Sequence, residues 1–535
     1  MTVLLTRKAV LQAKIEDTYD VAVDVGQNDG FLVSNPLFTV RPNVLERNFV
    51  RQDLSPMPVI IGRKIATMTF ETELRGNGTQ NSGFAANAPM IARLFRACGY
   101  ALGEHPTQSA LGPYVVGDPP VDVAWSVPSA TAATQVYTAT ANFGDGDRIG
   151  VGGQLYTFKS VLTPAANEVK LGADLATSLA NLKLAINAGA GAGSVYATAT
   201  QKNRYFTATN TGTTLTVTHI VLGTVGNGRP VSYTASGSSA GTWGGATSSG
   251  GTSIASNTDV VAYYLTVDTG GVSGAAKITV TSDTQGEGSA SATVTSGSPF
   301  SLGTKGLTIT PTWTGALAQG QQWVLWLLPT GLSLSPVSDD FESLTIVMHK
   351  DGVKHVMPGS YGTFEITAQA GNFATVKWTF TGTYTAPVDD ANPTPVFERT
   401  LPSQVQLARL TVNQFKAIVD KFTFNQGNDI QIRPDVSSSD GYIGVRITNR
   451  KPEGGIDPEA DLVANQDFWG NMASALRMPF QMRVGNQAGN TVWVFAPNTQ
   501  YSGMTYTDRN GILAYDAGLR FARSVGNDEF MLFFA

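Results

Sequence analysis

The segment SLTIVMHKDGVKHVM, residues 343–357, carries the clearest fold signal of the chain. Two runs rich in apolar and β-branched residues flank Asp351-Gly352, the kind of dipeptide that best forms a tight type I′ turn. The segment therefore predicts an antiparallel β-hairpin. A two-residue turn pairs His355 with Met348 and leaves His349 on the other face, so the two histidines are not expected to share a metal ion.

Alternation of apolar and polar residues extends this β signal to both sides of the hairpin. It predicts strands in residues 375–383 and 442–448. In an earlier strand, residues 69–74, it places the apolar side chains on one face and two carboxylates, Glu71 and Glu73, on the other.

Helices are expected at only a few places. Apolar residues recur at i, i+3, i+4 and i+7 in residues 89–98, and similar signals with an aspartate at the start occur in 174–187 and 467–476. Residues 415–424 fit a helix and a strand equally well, and periodicity does not decide between them.

Length and composition limit the possible classes of protein. At 535 residues the chain exceeds a single hydrophobic core, so several domains are expected. A net charge of −5 and a pI near 5.5 argue against a surface that binds nucleic acid tightly. No apolar run is long enough to span a membrane, and the N-terminal segment lacks the pattern of a signal peptide. The single cysteine, Cys98, is expected to be a small buried apolar residue.

Charge is distributed very unevenly along the chain. Residues 126–330 hold only 9 of the 36 Lys and Arg and 8 of the 41 Asp and Glu, and are rich in Gly, Ser, Thr, Ala and Val. This composition predicts inserted β-modules that interrupt a charged domain. The predicted division is 1–101 for the first part of the interrupted domain, 102–252 for an inserted α+β module, 253–334 for an inserted β-sandwich module, and 335–535 for the second part.

No pattern typical of catalysis is present. We find no phosphate-binding loop, dinucleotide fingerprint, nucleophile elbow or zincin helix. Asp145 and Asp147 in a Gly-Asp-Gly-Asp run could in principle bind calcium, but the full set of oxygen ligands is missing and a turn is the favoured interpretation. The sequence therefore predicts no enzyme, no cofactor and no metal site.

The flanks, taken together without the middle, resemble the major tail tube proteins of long-tailed, siphovirus-type bacteriophages. The blocks that carry this resemblance include Ala88-Pro89 through Gly99-Tyr100, Ser338-Asp339, Phe380 through Tyr384, Gly427-Asn428, Asp457-Pro458-Glu459 and Gly526 through Glu529. Each block is weak alone, but their order extends over about 300 residues. In shorter relatives of the family the first block runs almost directly into the second, so the insert is expected at one point, residues 102–334.

The resemblance implies a mainly β chain with the phage tail-tube β-sandwich or barrel fold and flanking helices, interrupted by a small α+β module and an immunoglobulin-like β-sandwich. The flanks are about twice as long as one small tube domain needs. Together with the recurring order of elements, this predicts a tandem duplication, with the second copy beginning near residue 400.

The function implied is that of a structural virion protein of the viral tail. Its subunits would assemble into stacked rings that form a non-contractile tail tube and the channel for DNA ejection. We expect homotrimeric rings with pseudo-sixfold symmetry, and hexameric rings of a larger single fold are the alternative. The expected location is the virion, after synthesis in the bacterial cytoplasm.

The implied partners are other copies of the chain, a tape measure protein inside the tube, and tail terminator and distal tail proteins at its ends. Double-stranded DNA would pass without specific binding, and no contact with a membrane is expected. Carboxylates that face the passage repel phosphates and let DNA slide.

Two groups of residues are candidates for these roles. Glu71 and Glu73 are candidate acidic residues of the lumen, and an ordinary solvated outer face or a salt bridge between rings is the alternative. A loop over residues 41–62 resembles the long family loop that bridges subunits or rings, and a plain surface loop is its alternative. The candidate inter-subunit residues of this loop are Arg41, Pro42, Glu46, Arg47, Pro56 and Pro58.

A rival interpretation is a receptor-binding or glycan-binding tail-tip protein, an adhesin whose β-modules hold the ligand. It rests on aromatic residues of the insert: Trp243, Tyr263, Tyr264 and Trp313. A sandwich core explains the last three equally well.

Overall fold

The computed structural model describes residues 4–535 except residues 6, 48, 53, 79–84, 239, 407, 408 and 439. The chain is mainly β, as expected, and the strands form several sheets. None of the described helices is long and apolar enough to cross a membrane. The first part of the chain contains β1 (Ala9–Ile15), β2 (Gly30–Phe31), β3 (Ser34–Leu45), β4 (Ile60–Glu73), α1 (Ala92–Arg96) and β5 (Tyr100–His105).

The middle of the chain holds short strands and one longer helix. These elements are β6 (Ser109–Val116), β7 (Ala124–Ser126), β8 (Ala132–Ala139), β9 (Arg148–Val151), β10 (Gln154–Lys159), β11 (Glu168–Lys170), α2 (Leu175–Asn187), β12 (Phe206–Thr211), β13 (Thr214–Leu222), β14 (Val231–Thr234), β15 (Gly241–Trp243), β16 (Val261–Thr269), β17 (Lys277–Ser282), β18 (Ser289–Thr293), β19 (Phe300–Leu302), β20 (Leu307–Thr312) and β21 (Gln322–Leu328).

The last part of the chain contains the longest strands. Its elements are β22 (Gly331–Pro336), β23 (Leu344–Lys350), β24 (Val353–Gln369), β25 (Thr375–Thr383), β26 (Val388–Asp389), β27 (Leu410–Val412), β28 (Val419–Asn425), β29 (Asn428–Pro434), β30 (Tyr442–Arg450), β31 (Glu453–Pro458), α3 (Phe468–Ala473), β32 (Met478–Val484), β33 (Val492–Arg509), β34 (Ile512–Ala522) and β35 (Met531–Phe534).

The predicted hairpin is confirmed as β23 and β24. Met348 lies opposite His355 in the ladder. Asp351 and Gly352 both have positive φ, 47° and 98°, as a type I′ turn requires. The β24 strand continues far beyond the predicted end at Met357, because its second half pairs with two further strands.

Two of the three predicted helices are shorter in the structure than expected. The helix α2 begins where expected, and the Asp174 carboxylate caps it by accepting a hydrogen bond from the Thr177 N–H. The α1 helix is limited to five residues because the turns on both sides have i to i+3 hydrogen bonds. The α3 helix ends before Leu476, and the ambiguous segment 415–424 contributes mainly to strand β28.

One order of strand pairing occurs twice among the described strands, and the first of the two sets combines strands from before and after the middle of the chain. In each set, the first strand pairs with the second, and the second forms a β-hairpin with a long third strand. The third strand forms a further hairpin with the fourth, which pairs with the fifth, and the fifth pairs with the sixth. The first set of neighbours is β1, β23, β24, β25, β4 and β3, and the second set is β27, β32, β33, β34, β31 and β28. Each set also has a short helix after its β4 or β31 strand. We call them the first repeat and the second repeat.

The two repeats are joined in one continuous sheet. The second half of β24, in the first repeat, pairs along its outer edge with β28 of the second repeat, where Glu365 lies opposite Asn425 and Gln369 opposite Lys421. The buried side chains of both repeats form one large hydrophobic cluster. Its aromatic centre includes Phe95, Phe364 and Trp378.

The middle of the chain leaves and returns through adjacent strands. Strands β5 and β22 pair antiparallel from Tyr100 opposite Pro336 to His105 opposite Gly331. This stem encloses residues 106–330, a few residues inside the limits of 102 and 334 that were expected for the insert. A hairpin stem of this kind keeps the two ends of an insert together.

Strand pairing within the insert differs from the predicted division at residue 252. Strand β6 pairs with β21 and β7 pairs with β20, so two strands from the predicted α+β module complete the sandwich. The described α+β elements run from β8 to β15 and have their own core around Tyr137, Phe158 and Leu182. This arrangement favours a sandwich that is itself interrupted by the α+β module, and the exact domain boundaries stay a prediction.

The sandwich is packed directly on the second repeat. One face of β16 and β21 contributes to the sandwich core, and the other face contributes Tyr264 and Trp326 to a cluster with Trp493, Phe495 and Phe533. The Trp326 indole N–H donates a hydrogen bond of 2.8 Å to the buried side chain of Gln481. Both faces of β16 and β21 therefore carry buried side chains.

Candidate assembly and channel surfaces

The two candidate carboxylates of β4 lie together on a polar face of the continuous sheet that joins the two repeats. Strand β4 buries Met68 and Phe70 in the core, and it turns Glu71 and Glu73 to the opposite face. The neighbouring strand β25 places Lys377 opposite Glu71. Other polar-face residues of β4 and β25 are Thr67, Thr69, Thr375, Thr379 and Thr381.

Cations and hydrogen-bond donors surround these acidic groups. An Arg75 guanidinium nitrogen lies 3.1 Å from a Glu73 carboxylate oxygen. The Lys377 ammonium lies 3.2 Å from Glu365 of β24 rather than pairing closely with Glu71. The polar face thus carries charges of both signs, and Glu71 is the less neutralised of the two candidates.

The second repeat holds an equivalent acidic pair that the sequence predictions missed as a site. Following the ladders from β23 to β4 and from β32 to β31 places Asp457 at the position of Glu71 and Glu459 at the position of Glu73. Both carboxylates lie near one guanidinium, with Arg509 nitrogens 3.2 Å from Asp457 and 3.6 Å from Glu459. Asp457 and Glu459 have the same i, i+2 spacing as Glu71 and Glu73, which was the signal available in the sequence.

Two strand edges of the long sheet are uncovered within the described part of the chain. Among the described strands, β3 pairs only with β4, and the second half of β33 pairs only with β34. The equivalent edge of the first repeat, on β24, is covered by β28. Unpaired edges of this length are templates for pairing with another chain.

The candidate loop of residues 41–62 is largely the outer part of a β-hairpin, which we call the first arm. Strands β3 and β4 stay paired as far as Leu45 opposite Ile60, so Arg41 and Pro42 belong to β3. Glu46, Arg47, Pro56 and Pro58 lie in the connection beyond the strand ends, and all six candidate residues are exposed.

The first arm also exposes a series of large apolar side chains. Val50 and Leu54 at its tip are fully exposed, and half or more of Phe49, Ile60 and Ile61 is accessible. Large apolar side chains exposed in such number within one hairpin make it a candidate interaction surface.

The corresponding hairpin of the second repeat, β29 and β30, is packed against the first repeat. We call residues 428–450 the second arm. Val445 and Ile447 are buried in a cluster with Tyr361, Tyr19 and Phe341. The Tyr19 hydroxyl donates to the Val445 carbonyl at 2.7 Å and accepts from the Val445 N–H at 2.6 Å.

A glycine makes this contact possible. A side chain at Gly444 would place its Cβ 2.1 Å from the Tyr19 hydroxyl, and the φ of Gly444 is +93°. Tyr19 also stacks on Tyr361 at 5.5 Å between ring centroids, and its burial raises its pKa to about 12. The second arm is therefore fixed on the first repeat through both apolar and hydrogen-bonded contacts.

The aromatic residues behind the adhesin interpretation are packed. Tyr263, Tyr264 and Trp313 are buried, and the Trp243 indole N–H is bonded to the Ser232 carbonyl while its ring packs on Tyr137. These four side chains do not form an exposed aromatic platform.

The remaining chemical groups have structural surroundings. Cys98 is buried, and burial raises the pKa of its thiol. The Asp147 carboxylate accepts hydrogen bonds from Gly144, Tyr233 and Ser236, which is the arrangement of a stabilised turn. Among the described residues, no group of three or more His, Cys, Asp or Glu side chains is placed to hold a metal ion.

A comparison with models of protein families gives a match. Residues 264–510 match the family model described as phage tail tube protein. The matched region includes β24, its joint with β28, the second arm and all of β33. The search of curated proteins found none that matches. The family match supports a structural tail tube protein, and such a family implies self-assembly into a tube and a place in the virion.

Proposed function

We propose that the chain is the major tail tube subunit of a siphovirus-type phage, and that it assembles into stacked rings around the channel for DNA ejection. The family match supports the tube assignment. The single observation that carries the ring is the recurrence of one pairing order in two repeats, with one internal joint between β24 and β28 and two uncovered edges.

The internal joint provides the template for the contact between chains. Strand β33 corresponds to β24 and strand β3 corresponds to β28. The uncovered second half of β33 then pairs with β3 of the next chain, and the sheet continues around a closed barrel without edges. Because each chain supplies two repeats, three chains give the same pseudo-sixfold ring as six single domains.

The polar face lines the channel in this arrangement, since the opposite face of the same strands is buried in the core. Glu71 and Glu73 from one repeat and Asp457 and Glu459 from the other then alternate around the lumen. Partly neutralised carboxylates repel phosphates without a strong field, which suits the passage of DNA without binding.

The inserted sandwich and α+β module lie on the outer wall as immunoglobulin-like and α+β decoration, because the channel has no space for them. A contractile sheath would collide with them there, which favours a non-contractile tail. The tape measure protein inside the tube and the terminator and distal tail proteins at its ends complete the proposed set of partners. The subunit is made in the bacterial cytoplasm before it joins the virion.

Electron microscopy of the purified full chain tests this proposal. The expected result is tubes with stacked rings, in which image averaging resolves three chains and six similar sectors per ring. Monomers under all conditions of salt and concentration would refute the tube assignment. Rings of six chains would refute the trimer and leave the tube in place.

A further inference from the structure

We propose that the first arm docks within its own ring, on the second repeat of the neighbouring chain. This inference rests on the proposed function and specifies the partner surface of residues 41–62. The occupant is a second copy of this chain, rather than a chain in the ring above or below.

The two arms occupy the same place in their repeats. Each connects the two strands that precede the short helix, β3 to β4 in the first repeat and β28 to β31 in the second. The second arm crosses the β24–β28 joint and buries Val445 and Ile447 on the first repeat. The joint and the docked arm are thus one combined contact.

The first arm has comparable apolar content and no comparable cover within the described residues of its own chain. Ile60 and Ile61 are 52% and 50% exposed, whereas Val445 and Ile447 are 1% and 7% exposed. If β3 pairs with β33 of the next chain as β28 pairs with β24, the first arm extends past that pairing and lies on the second repeat of the next chain, as the second arm lies on the first repeat.

The surface that receives the arm follows from the ladder positions. Ser360 lies opposite Leu344 in the first repeat, and Thr499 lies opposite Met478 at the equivalent place in the second repeat. Gln500, the residue after Thr499, is therefore equivalent to Tyr361, the residue after Ser360. The Gln500 side chain donates a hydrogen bond to the Ala475 carbonyl, beside Leu476, which is 40% exposed. Residues 475–476 and 500 therefore mark the centre of the expected contact.

Site-directed photocrosslinking distinguishes this contact from stacking between rings. A cysteine is introduced as Ile60→Cys at the base of the arm or as Val50→Cys at its tip, and is labelled with benzophenone maleimide on the purified subunit before assembly, while both positions are exposed. Cys98 is buried and should remain unlabelled. Val436→Cys, at the fully exposed end of the second arm, is the matched control.

The expected products on a denaturing gel form a ladder that ends at three chains. Their crosslinked peptides should contain residues 475–502 of another chain, with at least tenfold less product from the control. A ladder that continues beyond the number of chains per ring, or peptides from other regions, would overturn the inference. Failure of the unmodified chain to form rings would instead refute the proposed function, so the two failures are distinguishable.

Discussion

The two repeats share one order of strand pairing and differ in how each is completed. The first repeat is completed inside the chain, because β28 covers the edge of β24 and the second arm covers Tyr361. The second repeat has an edge on β33 that no other described strand covers, and the inserted sandwich instead packs on Trp493 and Phe495 at the start of β33. The difference indicates which surfaces are left for assembly and which are occupied by the insert.

The largest effect is expected from blocking the uncovered edge of the second repeat. The turn at Asn510-Gly511 has two residues with positive φ, so Arg509 and Ile512 form a hydrogen-bonded pair and the Tyr506 N–H points away from β34. Tyr506→Pro removes a donor from the free edge. We expect loss of tubes in electron micrographs.

The control for this change is Tyr506→Ala, which removes the ring and keeps the N–H. It should still form tubes, and both variants should melt within a few degrees of the unmodified monomer. Normal tubes from Tyr506→Pro would contradict pairing through this edge.

A second large effect is expected when the cover of the second repeat is removed. Deleting residues 106–330 and joining His105 to Gly331 through Asn-Gly exposes Trp493, Phe495, Met531 and Phe533, which the sandwich now buries. Burial of each such side chain contributes about 1.5–3 kcal/mol. The shortened chain should therefore aggregate in size-exclusion chromatography.

Two controls test the reason for this aggregation. Polar substitutions at these four residues should restore a soluble shortened chain. Deleting residues 132–251 alone removes the α+β module and leaves the packed sandwich, so it should change the melting temperature of the remainder little. A soluble, tube-forming chain after the full deletion without substitutions would show that the sandwich is not a required cover.

A smaller effect is expected from pH at the β5–β22 stem, where the chain enters and leaves the insert. The His105 ring nitrogens lie 2.8 Å from the Ser333 hydroxyl and 2.6 Å from the Ser109 hydroxyl, and burial lowers the pKa of His105 to about 4. Below pH 6.5 the unfolded chain binds a proton that the folded chain does not. Stability should fall by about 3 kcal/mol between pH 6.5 and 4.

Denaturant titrations at several pH values measure this contribution. His105→Gln keeps polar contacts and removes the titration, so its stability should depend less steeply on pH across this range. Equal slopes for both proteins would exclude His105 as the cause.

The smallest effect is expected from the acidic pairs. Replacing Glu71 and Glu73 by lysine should slow DNA release from assembled particles several-fold at low salt, with the effect fading at high salt. Lysine at Asp457 and Glu459 should have a similar effect, because the ladders place them equivalently. No change in release rate for either pair would argue that this face does not line the channel.

The sequence predicted some parts of this architecture well and others poorly. The turn at Asp351-Gly352 and the cap at Asp174 depend on neighbouring residues, and both are confirmed. Residues 415–424 stayed ambiguous because only the pairing of β28 with β24 and β31 selects a strand. The acidic pair Asp457 and Glu459 went unrecognised because i, i+2 spacing alone does not show that it is equivalent to Glu71 and Glu73, which the strand ladders establish.

The sequence by itself determined the mainly β class, the uneven charge and the hairpin at residues 343–357, because turn chemistry and alternation act over a few residues. The tertiary structure decided that β6 and β7 complete the sandwich, that the sandwich covers the second repeat, and that one arm is docked while the other is exposed. These features depend on contacts between residues far apart in the chain, which no local pattern encodes.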